Sequence, residues 1–334
     1  MSELIAGKMA KAPIANIDLA GMRVGVGNVS NSSMLGGYYL DLRSALSLVE
    51  SGYHGPLDES GAPLVSSHAA AGFYNITIVA QYALALHDKM IADGRTADLE
   101  RKLSAQLEVI VGNVEREAPW KGFFLHGWPN PKYRQLGVPW LSALAQGNAV
   151  SALLRSYQLQ GDERLLDSAA LAFDALDRPL SEGGTRVLDK CGHLWFEEYP
   201  MNPPSHVLNG FIFVLWGILD YARVTGARKA WDWWEAGVET LRAHIADFDC
   251  GYWSVYDLES RELASLYYQT NIHAPQLEVM YLLTGDAVFK RYAERWTEFS
   301  ASLWRRTLWW INLRVQARMK RLRSLRSGKR ASNN

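Results

Sequence analysis

Apolar residues recur at three- and four-residue intervals along most of this chain, and the rhythm breaks at clusters of proline, glycine and tryptophan. Ile78, Tyr82 and Leu86 lie on one stripe of Tyr74 to Met90, which predicts a helix with one buried face, and Leu99 to Val114 repeats the pattern. Gly112 to Pro139 reads as a long loop rich in Trp, Gly and Pro. Pro139 to Gln158 returns to helix, with Ala143, Ala145, Gly147 and Ala149 small enough for close contacts, and Asp162 to Leu176 pairs with it as a hairpin. A loop over 181–205 follows, then helices at about 206–225 and 228–247. Phe248 to Leu266 reads as loop and short strand, and Asn271 to Leu283 with Asp286 to Trp304 forms a last helical pair.

Helical pairs spaced about 40–50 residues apart predict a mainly α fold, an α/α toroid in the form of an incomplete (α/α) barrel or else a helical repeat. Residues 1–60 are expected to be loops with a strand or two, 61–300 the toroid, and 301–334 a basic amphipathic tail. Inner and outer helices would gather the aromatic loops at one mouth, and a concave mouth of Trp and Tyr suits sugar rings.

One loop stands apart. In Phe196 to Gly210, F-E-E-Y-P-M-N-P-P-S-H-V-L-N-G, two adjacent carboxylates and a tyrosine run into three prolines. Proline lacks a backbone donor and pushes the preceding residue out of the helical region, so the segment is rigid and non-helical. An apolar helix follows at once, with Asn209 and Gly210 near its start. The loop is therefore either the place where a site is built or a proline-rich connector with solvated glutamates.

Composition changes the picture at the end of the chain. The 334 residues are 48% hydrophobic and 21% charged with zero net charge, an ordinary globular balance. Ten basic residues and no acid follow Phe299, which leaves 25 basic against 35 acidic residues in the body. Trp304, Leu308, Ile311 and Val315 can share one face of a tail helix with arginines opposite. Residues 301–330 are thus expected to lie on an anionic membrane surface, dock on the acidic body or bind a polyanion. Nucleic acid is not an expected partner. No apolar core of signal-peptide length opens the chain and no run of 18 apolar residues occurs, so a cytoplasmic chain, peripheral on a membrane through its tail, is expected. Cys191 and Cys250 make neither a metal spacing nor a disulfide framework. Gly25-Val26-Gly27 lacks the rest of a dinucleotide fingerprint. The sequons at Asn28, Asn31 and Asn75 would need a secretory route.

Five blocks in order resemble the D-glucuronyl C5-epimerases that act on heparosan-type polysaccharides. They are G-A-P-L-V-S with A-G-F-Y-N-I-T-I-V-A-Q-Y-A-L (within 61–84), V-P-W-L-S-A-L-A-Q-G-N-A-V-S-A-L-L-R-S-Y (138–157), E-E-Y-P with P-S-H-V-L-N-G-F (197–211), Y-D-L (256–258) and Y-Y-Q-T-N-I-H-A-P-Q-L (267–277). The resemblance implies an α/α-toroid catalytic domain, a homodimer, and inversion at C5 of glucuronate to iduronate within a polysaccharide. The β-rich domains that precede that toroid in the family are expected to be largely absent here, and with them any calcium they hold.

Removing the C5 proton beside a carboxylate creates an enediolate-like dianion. A site must therefore supply a base on one face, an acid on the other and donors for the carboxylate. A proton-only inversion requires no redox cofactor, and neither cofactor nor metal is expected. The family-matched positions put Glu198 and Tyr268 as the opposed acid/base pair, with Tyr199 and Tyr256 donating to substrate and Asn209 in support. A tyrosine ionises near ~10, so one acting as base needs a neighbouring cation or donor, for which His206 and His273 are candidates. Tyr74 and Gln146 lie in matching blocks and either reach the groove or serve as scaffold. Where the family continues Y-D-L with arginine, Glu259 stands here and Arg261 follows two positions on. The block at Tyr268 also carries one additional residue before Gln276-Leu277, which shifts His273. Two other readings fit the same residues: a polysaccharide lyase, which removes the same proton and then expels the 4-linked sugar, and a non-catalytic glycan-binding or assembly protein.

Overall fold

Two glycines permit a close helix crossing in the core. A Cβ on Gly147 would meet the Cα of Val214 at 2.6 Å, and one on Gly217 would meet the carbonyl oxygen of Gly147 at 2.5 Å. Side chains there would hold apart α4 (Ala143–Gln160) and α6 (Leu208–Thr225), both buried along most of their length. Of the small residues expected to make close contacts in α4, Gly147 does so, and Ala143, Ala145 and Ala149 are fully buried. The computed structural model that shows this describes residues 23–66 and 72–331, with side chains up to Gln316 and at Arg318. Residues 1–22 of the expected N-terminal segment and the side chains of Lys320, Arg321, Arg323, Arg326, Lys329 and Arg330 lie outside the described part.

The fold is mainly α. After a short α1 (Leu46–Glu50), α2 (Ile76–Asp93) pairs with α3 (Ala97–Asn113), α4 with α5 (Glu163–Ala175), α6 with α7 (Arg228–His244), and α8 (Ala274–Thr284) with α9 (Ala287–Ala301). Helices α2, α4 and α6 pack on one another in turn, and the turn leading into α8 packs on α6, so these form an inner layer. The outer α3, α5, α7 and α9 each bury a single stripe against the inner partner before them, such as Leu99, Leu103, Leu107 and Ile110 of α3. Side-chain oxygens cap several starts, Asn75 for α2, Thr96 for α3, Ser142 for α4 and Asp162 for α5, which places the helix beginnings within a few residues of expectation. Among the described residues no helix is long and apolar enough to cross a membrane.

The structure departs from the periodic reading in three places. The loop over 181–205 contains an antiparallel hairpin, β1 (Arg186–Leu188) with β2 (Leu194–Phe196), in register Val187 opposite Trp195. The last pair opens with a π-helical turn, Tyr268–His273, and its second helix stops at Ala301, before α10 (Leu303–Ala331). In that tail, Trp309 stacks on Trp253 at 5.3 Å and donates from Nε1 to the Ala264 carbonyl at 2.9 Å, so one face docks on the body. Trp304, Ile311 and Val315 remain exposed while Leu308 is half-buried.

The N-terminal strand-like segment is fixed by a charge cluster. Arg155 of α4 and Asp220 of α6 form an ion pair with both side chains inaccessible to water. Tyr39 donates to Asp220 at 2.7 Å, and Arg223 reaches Tyr39 at 2.9 Å and the Ser32 carbonyl at 2.6 Å. Breaking such a buried pair leaves an uncompensated charge, so this cluster fixes residues 30–40 on the α4–α6 core.

Candidate active site

Strand β2 is the lever that aims the site. Trp195 and Phe196 are buried, and the next two residues leave the strand on opposite errands. Glu197, which a proline-rich connector would leave solvated, is 1% exposed. Its Oε2 accepts from the Ser205 amide and hydroxyl, both at 2.9 Å, and from the His206 amide at 3.0 Å; Oε1 meets His206 Nδ1 at 2.7 Å. Those bonds hold His206 at φ +49°, a conformation side chains rarely adopt. Glu197 thus ties the proline loop into a closed ring, and His206 is spent on it.

Glu198 turns the other way, into a cavity of about 690 Å³ lined also by Tyr199, Tyr268, Asn209, Trp140 and His54. It is the one carboxyl group among the described residues lining that space. Gly210 makes its room, because a Cβ there would meet Glu198 Oε2 at 2.3 Å. Oε2 is buried without a hydrogen-bond partner, as is Oδ1 of Asn209 one residue before that glycine. Burial raises the Glu198 pKa to about 7, Glu197 adding to the rise while Tyr199, Lys132 and Tyr256 oppose it. A buried carboxyl with one unpaired oxygen, poised near neutrality, can give or take a proton.

Tyrosines surround it. Tyr199 packs on the ring of Tyr133 at 4.5 Å and on Trp140 at 5.9 Å. Tyr256 meets Tyr268 edge-on at 5.3 Å, and its hydroxyl acts on Glu198, Tyr199 and Tyr268. Burial first and the Glu198 charge second push Tyr199, Tyr256 and Tyr268 above the usual tyrosine value, so the phenols are held protonated. A lowered tyrosine pKa, which a tyrosine base requires, is not what this environment produces. His273 supplies no charge to lower one: it is fully buried against Ser254 Oγ at 2.8 Å, and burial drops its pKa to about 3.

Of the remaining sequence candidates, Gln146 and Tyr74 are engaged elsewhere. Gln146 bonds the Phe124 amide and the Gly122 and Ala172 carbonyls at 2.8–3.0 Å, anchoring the Trp-rich loop. Tyr74 donates to Asp58 at 2.5 Å; its neighbour Asn75 lines the cavity instead. Arg261 is exposed, with φ +50°, on the turn after Asp257.

Sequence reasoning missed the cation of the site. Lys132 Nζ sits 3.7 Å above the Tyr256 ring and 3.4 Å from Asp257 Oδ2, which also accepts from Tyr133 at 3.0 Å. Lys132 and Tyr133 lie about 125 residues from Asp257 in sequence, and only a lysine and tyrosine standing together in an aromatic loop could have hinted at them.

The π-turn explains the additional residue near Tyr268. A π-helical turn admits one extra residue into a helix while the turns after it keep their regular geometry, and such turns cluster at functional sites. Here it spans Tyr268 to His273, so Tyr268 stands at the start of the distortion and faces the cavity.

The family model described as "D-glucuronyl C5-epimerase C-terminus" matches residues 123–298, more than half of the chain. An uncharacterized protein of Methanocaldococcus jannaschii is 32% identical over 166 residues, 49% of this chain and 53% of that protein. The D-glucuronyl C5-epimerase of Caenorhabditis elegans is 31% identical over 198 residues, 52% of this chain and 32% of the nematode protein. The chain thus matches about half or less of the length of each. The matched stretch contains β2, the loop from Glu197, Tyr256 and the π-turn, and by it the chain belongs to the D-glucuronyl C5-epimerase C-terminal family.

Proposed function

We propose that this chain inverts C5 of D-glucuronate residues within a glycan, giving L-iduronate by proton removal and return. The observation that carries the reading is Glu198, a lone buried carboxyl with a pKa near 7, facing a cavity whose other polar walls are neutral donors. As carboxylate, Glu198 takes the C5 proton. Tyr268, held protonated by burial, delivers one to the opposite face, and exchange with solvent then returns a proton to Tyr268 and takes one from Glu198.

The hydroxyls of Tyr199 and Tyr256 and the amide of Asn209 are the donors for the substrate carboxylate as charge develops on it. Lys132, above the Tyr256 ring, adds a positive charge that acts on Glu198. A cavity of this size accepts one or a few sugar rings, and Trp140 and Tyr199 offer faces for them.

The test is proton NMR of glucuronate-containing oligosaccharides of the heparosan type, incubated with the full chain in deuterated water. Epimerisation gives deuterium at C5 together with new iduronate signals. A 4,5-unsaturated sugar would replace the reading with a lyase. Binding without exchange would leave a glycan-binding protein.

A further inference from the structure

Three donor atoms converge beside Trp195. Asp189 and His193 lie in the turn of the β-hairpin, and His244 is the last residue of α7. Asp189 Oδ2 is 3.2 Å from His193 Nδ1 and 2.8 Å from His244 Nε2, and the two ring nitrogens are 3.0 Å apart.

Hydrogen bonds cannot satisfy all three edges of that triangle. If both nitrogens carry protons toward Asp189, two donors face each other at 3.0 Å; if His193 Nδ1 accepts from His244, its lone pair faces the carboxylate oxygen instead. A cation at the centre relieves every edge at once. Ligands about 2.0–2.2 Å from a divalent metal stand about 3.3–3.6 Å apart at tetrahedral angles and about 2.8–3.1 Å apart at right angles, a range that takes in the observed edges.

The surroundings are those of a metal site. Asp189 Oδ1 is held by the amides of Cys191 at 2.8 Å and His193 at 3.0 Å, while Oδ2 points inward and also accepts from Trp195 Nε1 at 3.4 Å. The other nitrogen of His244, Nδ1, lies 2.9 Å from Asp247, the carboxylate–histidine pairing that fixes a ligating ring's tautomer and orientation. The three side chains are 14–27% exposed, so solvent can complete the coordination.

We infer that Asp189, His193 and His244 bind one divalent transition-metal ion of the zinc class, which staples the β-hairpin to the end of α7. The staple acts on the active-site loop by contact. Trp195, in the same hairpin, packs against His244 at 5.4 Å and His206 at 4.3 Å, and His206 is bonded to Glu197 beside Glu198. The metal is a positioning element and touches no substrate.

The experiment uses the full chain without a polyhistidine tag, stripped with a chelator and titrated with Zn²⁺ and with Co²⁺ by calorimetry. The visible spectrum of the cobalt form and the melting temperature with and without Zn²⁺ are recorded alongside. One equivalent binds, cobalt gives a ligand-field spectrum, and melting shifts upward. Asp247→Asn weakens binding about 10- to 100-fold through the ring it orients. His193→Gln, on a partly exposed turn, and His244→Gln each remove the stoichiometric event, whereas Cys191→Ser, whose thiol is not among the converging atoms, retains it. Absence of stoichiometric binding to the wild-type chain, or binding unchanged in the His193→Gln/His244→Gln variant, overturns the inference.

Discussion

Replacing Gly210 by alanine tests the geometry of the site through a single methyl group. The new Cβ would lie 2.3 Å from Glu198 Oε2, 2.8 Å from its Cβ and 3.1 Å from its Cδ. Rotating the carboxylate alone relieves only part of this, because the Glu198 Cβ is also too close. The loop at Glu198 or the first turn of α6 must move as well. Overpacking of this kind costs about 1–3 kcal/mol, against which alanine recovers about 0.5–1 kcal/mol in a helix. The variant is therefore destabilised by about 0–2.5 kcal/mol but still folds.

The effect on turnover is larger, since a misplacement of about 1 Å in a catalytic group can cost about 100-fold in rate. Gly112→Ala is the control: it lies in α3 and a Cβ there meets nothing within 4 Å. It should gain about 0.5–1 kcal/mol with exchange unchanged. Thermal melting and C5–deuterium exchange are measured on both variants. A Gly210→Ala protein that melts higher than wild type and exchanges at the wild-type rate would refute the placement of Glu198.

Three further outcomes are expected. Glu198 holds its proton more tightly in the folded state, with a pKa of about 7 against 4.5 unfolded, so its contribution is complete below pH 4.5 and lost as pH climbs through 7. Glu198→Gln should accordingly be more stable than wild type by about 3 kcal/mol at pH 8, the gap closing toward pH 4.5 in denaturant titrations; a pH-independent gap would contradict this. With Glu198 as base on glucuronate, wild-type kcat/KM should rise with pH and level off above about 7, and a profile falling across that range would refute the role. In α10, Trp304→Ser with Ile311→Ser should reduce flotation of the full chain with anionic vesicles, since both residues are exposed; equal flotation would remove the membrane reading of the tail.

What the sequence disclosed was what short-range physics determines. A periodic apolar stripe located α2 to α9 because each of those helices buries one face or all of them, and proline density located the Glu198 loop because proline admits few backbones. The β-hairpin went unseen because its strands are three residues each, too short for alternation to register. Glu197 and Glu198 look alike in sequence and were separated only by the side of β2 on which each emerges. The charges of Lys132 and Asp257, like the place of His244 beside Asp189 and His193, depend on contacts spanning 51 to 125 residues, for which no local pattern exists. The π-turn was visible only as one residue too many.

The opposed roles of Glu198 and Tyr268 are tested most directly by running exchange from both ends. Tyr268→Phe and Glu198→Gln are each incubated in deuterated water with glucuronate oligosaccharides and, separately, with their iduronate counterparts. With Glu198 as the base on glucuronate, Tyr268→Phe should place deuterium at C5 of glucuronate without forming iduronate, because the proton leaves and returns on one face. Glu198→Gln should be silent on glucuronate. Wild-type inversion by Tyr268→Phe, or exchange from glucuronate by Glu198→Gln, would contradict the assignment.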